Sequence, residues 1–270
     1  MTKNLYVVGN WKMYKTAREA TDYIESLLPK VDGSIVNIYI ATPYTSISAA
    51  AQYAKETNVV IGAQNMNDAR EGAFTGEIAG LMLKEAGASF VLLGHSERRH
   101  VFAEDNDLIH RKVIRALQDD IQPILCIGET LDQYNEGQTE KVIKEQLESA
   151  LEGVPKEEAQ KILIAYEPVW AIGTGKTPTA EQIQDVHAFC KSCLAELYGK
   201  KVAELIPVLY GGSVKPANVA EFTAGKDVAG VLVGGASLDP ETFSTIINNI
   251  AAGSAPKKLS KPRTKKEKKE

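Results

Sequence analysis

Glu167 stands where a short aliphatic run, Ile162-Leu163-Ile164-Ala165, gives way through Tyr166 to Pro168-Val169-Trp170-Ala171-Ile172-Gly173-Thr174-Gly175-Lys176-Thr177. The run reads as a buried strand, so its carboxyl end presents a carboxylate. Pro168 closes that strand, and Gly173 and Gly175 break regular structure around the apolar residues between them, which therefore read as a loop outside the core. An apolar loop beside a carboxylate is a cover that excludes water when shut, a setting that strengthens a carboxylate as a base and shelters a reactive intermediate. Taken alone, the same stretch also reads as a Gly-rich turn with a helix-capping Glu.

Three further groups complete a possible chemistry. His95 follows Gly94 and precedes Ser96-Glu97-Arg98-Arg99, which read as a first helical turn. The positive potential of a helix N-terminus disfavours an imidazolium, so His95 is expected to act as a neutral hydrogen-bond donor. Lys12, between Trp11 and Met13, is a fixed positive charge able to hold a phosphate or favour negative charge developing on an oxygen, although a lone Lys is just as often a surface residue. Gly211-Gly212-Ser213 and Gly234-Gly235 offer backbone amides that no Cβ obstructs, a cradle for a phosphate. A base, a neutral donor, a cation and an anion grip describe proton abstraction beside a carbonyl, through an enediol-type intermediate.

These residues are far apart in the chain, so an architecture must gather them. Eight short apolar runs end near residues 10, 41, 63, 94, 127, 167, 210 and 233. The intervals leave room for a crossover helix each. Helix signals lie between the runs: Thr16-Ala17-Arg18-Glu19 and Thr179-Ala180-Glu181-Gln182 are capping boxes, Val142, Ile143, Gln146, Leu147, Ala150 and Leu151 follow the helical period, and Gly87 and Gly199 stand at C-cap positions. Eight strand–helix units of continuous aliphatic strands predict an α/β fold, a (β/α)8 barrel in a single domain spanning residues 1–253. The absence of GxGxxG after the first run favours the barrel over an open doubly wound sheet. In a barrel the residues just past each strand collect at one rim: Asn10 and Lys12, His95 and Glu97, Glu167, Ser213, then Gly234 and Gly235.

The 270 residues are 44% hydrophobic and 24% charged, ordinary for a globular chain and unlike a disordered one. With neither a signal-like leader nor an apolar stretch of membrane-spanning length, a cytoplasmic location is expected and a membrane partner is not. Cys126, Cys190 and Cys193 form no even disulfide framework; Cys190 and Cys193 lie inside a helical pattern with Ile183, Val186, Leu194 and Leu197, which argues for core packing over metal or redox chemistry. His100, His110 and His187 read as structural or solvated. The last residues, 254–270, carry eight Lys or Arg and two Glu, a net +6 that leaves −10 on residues 1–253 within the chain's total of −4. This basic tail, with Pro256 and Pro262 and no aromatic residue, is expected to be disordered, and without aromatics it is a poor nucleic-acid binder. Its partner, if any, is unknown.

Asn10-Trp11-Lys12, Gly94 through Arg99, Ala165 through Thr177, Tyr210 through Ser213 and Gly234 through Leu238 together resemble triosephosphate isomerase over residues 1 to about 252. That resemblance implies the TIM barrel and an aldose–ketose isomerase of glycolysis and gluconeogenesis, interconverting dihydroxyacetone phosphate and D-glyceraldehyde 3-phosphate without cofactor or metal. It implies Glu167 as the carbon base, neutral His95 as the electrophile and hydroxyl proton carrier, and Asn10 and Lys12 beside them. Gly173, Ser213, Gly234 and Gly235 would grip the phosphate. Ile172 and Leu232 would clamp Glu167, with Ser96, Glu97, Cys126 and Tyr210 in support.

The resemblance also implies a homodimer in which the loop of residues 64–77 reaches the neighbouring site, Thr75 supporting Asn10 and Lys12, and Phe74 and Met66 are expected to be exposed there. One departure concerns the lid. In the family pattern the strand-seven tyrosine, here Tyr210, bonds a backbone N–H at the position of Pro178, and proline has none. A phosphosugar isomerase or epimerase on the same barrel and a non-catalytic binder remain the other readings; metal-dependent relatives should show His and Asp ligands at strand ends, which are missing here.

Overall fold

The structure, a computed structural model, describes residues 3–172 and 176–254. Gly173 of the expected phosphate grip and almost all of the basic tail lie outside these residues.

Eight strands, β1 (Tyr6–Asn10), β2 (Asn37–Thr42), β3 (Val59–Ala63), β4 (Phe90–Leu93), β5 (Gln122–Ile127), β6 (Leu163–Tyr166), β7 (Val208–Tyr210) and β8 (Gly230–Val233), pair in sequence order, and β8 returns to β1 to close the barrel. Every pairing is parallel. Parallel neighbours need crossovers, and helices supply them, among them Ala17–Val31, Asn106–Gln118, Thr139–Leu151, Ala180–Tyr198 and Pro240–Ser254. Both expected capping boxes form, at Thr16 with Glu19 and at Thr179 with Gln182. Gly199 takes φ +84 at the end of its helix, a left-handed turn that a Cβ would strain.

The core divides by strand alternation. Val8, Leu92, Cys126, Leu163, Ala165, Leu209 and Leu232 fill the barrel interior. Their neighbours Val7, Val91, Ile164, Val208 and Val231 face outward into the layer beneath the helices. Each fully buried Ile or Leu in these layers contributes about 1.5–3 kcal/mol. The alternation also aims the site: Glu167 continues the inward series of Leu163 and Ala165, and Asn10 continues that of Val8.

Two packing expectations need correction. On the helix Ala180–Tyr198 the buried face is Ile183, His187, Cys190, Cys193 and Leu194, so both cysteines pack in the core as expected, while Leu197 is exposed. Met66 is fully buried, because the loop of residues 64–77 folds back through Asn67 N–H to Ile78 C=O at 2.9 Å, and the Met66 methyl abuts Gly80. Phe74 is exposed, as expected. The stretch after Pro168 is not wholly irregular either: Val169–Ala171 forms a 3-10 turn with Ala171 buried.

Candidate active site

A cavity of about 290 Å³ opens at the carboxyl ends of the strands, lined by Asn10, Lys12, His95, Glu167, Ile172, Gly211, Gly212, Ser213, Leu232, Gly234 and Gly235 with a few neighbours. The strand-end residues thus meet as expected, although they come from five different strands.

The Glu167 carboxylate is buried and doubly held. One oxygen lies 3.1 Å from Nε2 of His95, and the other accepts the backbone N–H of Ser96 at 3.1 Å. Its backbone is fixed by an N–H donated to Ile127 C=O at 2.7 Å. Two glycines make room for it. A Cβ on Gly128 would lie 1.8 Å from the Glu167 carbonyl oxygen, and one on Gly211 would lie 2.7 Å from Glu167 Cγ.

His95 is the N-cap of the short helix Ser96–His100, and its Nδ1 accepts the backbone N–H of Glu97 at 3.2 Å. That bond occupies the Nδ1 lone pair, so the ring proton of a neutral His95 sits on Nε2, facing Glu167. Burial opposes the imidazolium, whereas Glu167 and Glu97 favour it, and the balance lies above the ordinary imidazole value. The expected lowering by the helix N-terminus is therefore outweighed by the paired carboxylates while Glu167 rests against His95.

Lys12 adopts φ +53, a left-handed conformation uncommon for a residue with a Cβ. Its N–H donates to Asn10 Oδ1 at 3.0 Å and its C=O accepts from Gln64 Nε2 at 2.9 Å, bonds that hold the turn. The ammonium pairs with Glu97 Oε1 at 2.6 Å, both side chains partly open to solvent. The Lys12 arm passes the strand-eight loop, where a Cβ on Gly234 would meet Lys12 Cε at 3.4 Å. Cation and amide-rich loop are thus side by side.

The remaining predicted residues lie around or beyond this cavity. Cys126 is buried in the barrel interior, where burial drives its thiol well above the ordinary range, and its C=O accepts from Arg99 at 3.1 Å. Tyr210 is fully buried and its hydroxyl has no partner among the described residues; burial raises it. Ile172 and Leu232 line the cavity with Glu167. Thr75 is exposed and does not line the cavity within one chain. Of the other histidines, His187 is buried, His110 is half-buried and His100 is exposed.

Sequence reasoning missed Glu129, Gln64 and Lys215. Glu129 is buried just past β5 and accepts from Trp170 Nε1 and Tyr166 Oη. Its position after a strand end was the available signal. Lys215, three residues beyond Gly212, lines the cavity as a second cation. No group of three or more His, Cys, Asp or Glu among the described residues is placed to hold a metal ion.

A family model described as triosephosphate isomerase matches residues 5–250. The triosephosphate isomerase of Protochlamydia amoebophila is 50% identical over 243 residues, covering 90% of this chain and 92% of that protein. Those of Caldanaerobacter subterraneus and Chlamydia caviae are each 46% identical, over 90% and 93% of this chain and 98% and 99% of their own lengths.

Proposed function

The chain belongs to the triosephosphate isomerase family and interconverts dihydroxyacetone phosphate and D-glyceraldehyde 3-phosphate, a step of glycolysis; from that premise we propose how its residues divide the work. Glu167 takes the carbon-bound proton and returns it to the neighbouring carbon. His95 donates Nε2–H to the carbonyl oxygen, which gains charge as the enediolate forms, and then moves the hydroxyl protons. Lys12, aimed by its left-handed turn, and Asn10 stabilise the same oxygens. Gly173, Ser213, Gly234 and Gly235 hold the phosphate and so set the carbon acid within reach of Glu167.

The observation that carries this reading is the double hold on Glu167. Both carboxylate oxygens are occupied, one by His95 and one by the Ser96 amide, so substrate engages the base only after it leaves those partners. Leaving them also removes the carboxylate that favours a charged His95, so the base becomes free as its partner becomes the neutral donor the reaction needs. The test is a coupled assay of wild type and Glu167→Gln with glyceraldehyde 3-phosphate. A loss of about 10²–10⁴-fold in kcat is expected; equal activity refutes the assignment.

A homodimer is part of the same reading. Met13 (94% exposed), Phe74 (53%), Val101 (71%) and Phe102 (63%) are exposed apolar residues, and the loop of residues 64–77 would carry Thr75 to Asn10 and Lys12 of the neighbour. A fully active monomer at micromolar concentration in sedimentation would refute it. We place the enzyme in the cytoplasm; among the described residues no helix is long and apolar enough to cross a membrane. Residues 1–253 are the catalytic domain, and deletion of residues 254–270 is expected to leave catalysis nearly unchanged.

A further inference from the structure

A larger cavity, about 690 Å³, lies at the opposite end of the barrel, where Tyr6 begins β1 and Pro207 and Ala229 precede β7 and β8. Four lysines line it, Lys3, Lys191, Lys200 and Lys226, against two acids, Glu204 and Asp227. We propose that this cavity is a second binding site, for a small organic phosphate carrying two or more negative charges and a flat apolar part.

Lys3 and Lys191 are tethered to the wall by backbone carbonyls. Lys3 Nζ donates to Thr223 C=O at 3.2 Å and Gly225 C=O at 2.6 Å, and Lys191 Nζ donates to Ala203 C=O at 2.7 Å and to Ile206 C=O. An ammonium has three N–H groups, so each keeps one for a ligand. None of the four lysines forms an ion pair among the described residues. Asp227 is already engaged, accepting from Gln184 Nε2 at 2.6 Å.

The electrostatic consequence is an unbalanced wall. Burial pulls Lys3 down to about 8, with Asp227 opposing and Lys191 adding to the fall, and burial lowers Lys191 as well. An anion seated between them offsets that penalty, because each ammonium gains a counter-charge. Lys3, Lys200 and Lys226 are exposed and Lys191 is half-buried, so Lys200 and Lys226, whose ammonium groups no backbone carbonyl among the described residues holds, meet the ligand's outer charge.

The rest of the lining suits an apolar ring. Tyr6, Ala188, Ala195, Leu205 and Pro207 face the same space, and the volume falls within the roughly 300–1,000 Å³ common to small-molecule sites. The triose phosphates of the isomerase reaction offer nothing to that apolar surface. This ligand is therefore of a different class from the substrate.

The test uses the full chain labelled with 13Cε-lysine and ADP, pyrophosphate and adenosine as probes. ADP is expected to shift the Lys3 and Lys191 signals, pyrophosphate to shift them only at higher concentration, and adenosine to shift neither. Lys200→Gln with Lys226→Gln, both surface changes, is expected to weaken ADP at least about threefold, less than 1 kcal/mol, with isomerase activity unchanged. ADP at about 10 mM, enough to fill a site of Kd ~1 mM, that leaves both signals in place or moves Lys12 alone overturns the proposal. So does undiminished ADP binding in the double variant.

Discussion

The indole N–H of Trp170 donates to Glu129 Oε1 at 2.8 Å, and the Tyr166 hydroxyl donates to the same oxygen at 3.1 Å. This bond ties the start of the apolar cover to the end of β5. The other Glu129 oxygen is buried without a partner, and burial holds the carboxyl above its ordinary range, although its donors pull the other way. A folded-state value above the unfolded one means that stability falls as pH rises through that interval. Glu129→Gln should therefore melt at or above the wild-type temperature at neutral pH, with a flatter pH dependence. Glu129→Ala removes the acceptor from two donors and should cost about 2 kcal/mol or more in denaturant unfolding.

Gly211 lies against Glu167, the proposed base. Its φ is ordinary, so alanine brings no backbone strain, only a Cβ about where Glu167 Cγ needs 2.7 Å of clearance. Displacing a catalytic group by about 1 Å can cost on the order of 10²-fold. Gly211→Ala is expected to show that loss in kcat with a nearly unchanged melting temperature, and an active variant would show that Glu167 has room to spare.

Tyr210 and Pro178 make a paired prediction. The Tyr210 hydroxyl is buried with no partner among the described residues, and Pro178, also buried, has no N–H to give it. Pro178→Ala restores a donor and is expected to favour the closed lid by up to about tenfold, the worth of one hydrogen bond. Tyr210→Phe should be nearly silent in wild type yet abolish the gain in Pro178→Ala. Because removing proline also loosens the unfolded chain, lid kinetics and not melting temperature is the readout; unchanged kinetics would dismiss the missing contact.

His187 is expected to make the fold less stable in acid. Burial lowers it from 6.5 to about 4 in the folded protein, with the Asp227 carbonyl only partly opposing. Between those values the unfolded chain binds more protons, so stability drops as pH falls from about 6.5 to 4, by on the order of 3 kcal/mol. Urea unfolding across that range should show the slope in wild type and a shallower one in His187→Gln.

Much of this was legible in the chain because parallel strands buried on both faces are continuous aliphatic runs, and because strand-end residues must share one rim. Boundaries were less so. The first run reads from Leu5 and the seventh from Pro207, yet β1 starts at Tyr6 and β7 at Val208, because strand pairing is a backbone matter that hydropathy does not mark. Met66 was misjudged because the folding back of its loop depends on Ile78. Gln64 and Glu129 escaped for a related reason: each acts on a partner brought close only by barrel closure, Lys12 in one case and Trp170 in the other. His95 shows the limit of local electrostatics, since the helix terminus was readable and the carboxylate of Glu167 against it was not.

Closure of β8 onto β1 has an effect beyond positioning the site. A ring of eight strands has no lateral margin, so no row of unsatisfied peptide groups is offered to another chain. Copies of this protein cannot recruit one another by adding strands to this sheet, so the proposed homodimer would rest on side chains such as Met13, Phe74 and Val101. In that dimer the surface that governs association would border the chemistry, and substitutions that change one are expected to be felt by the other.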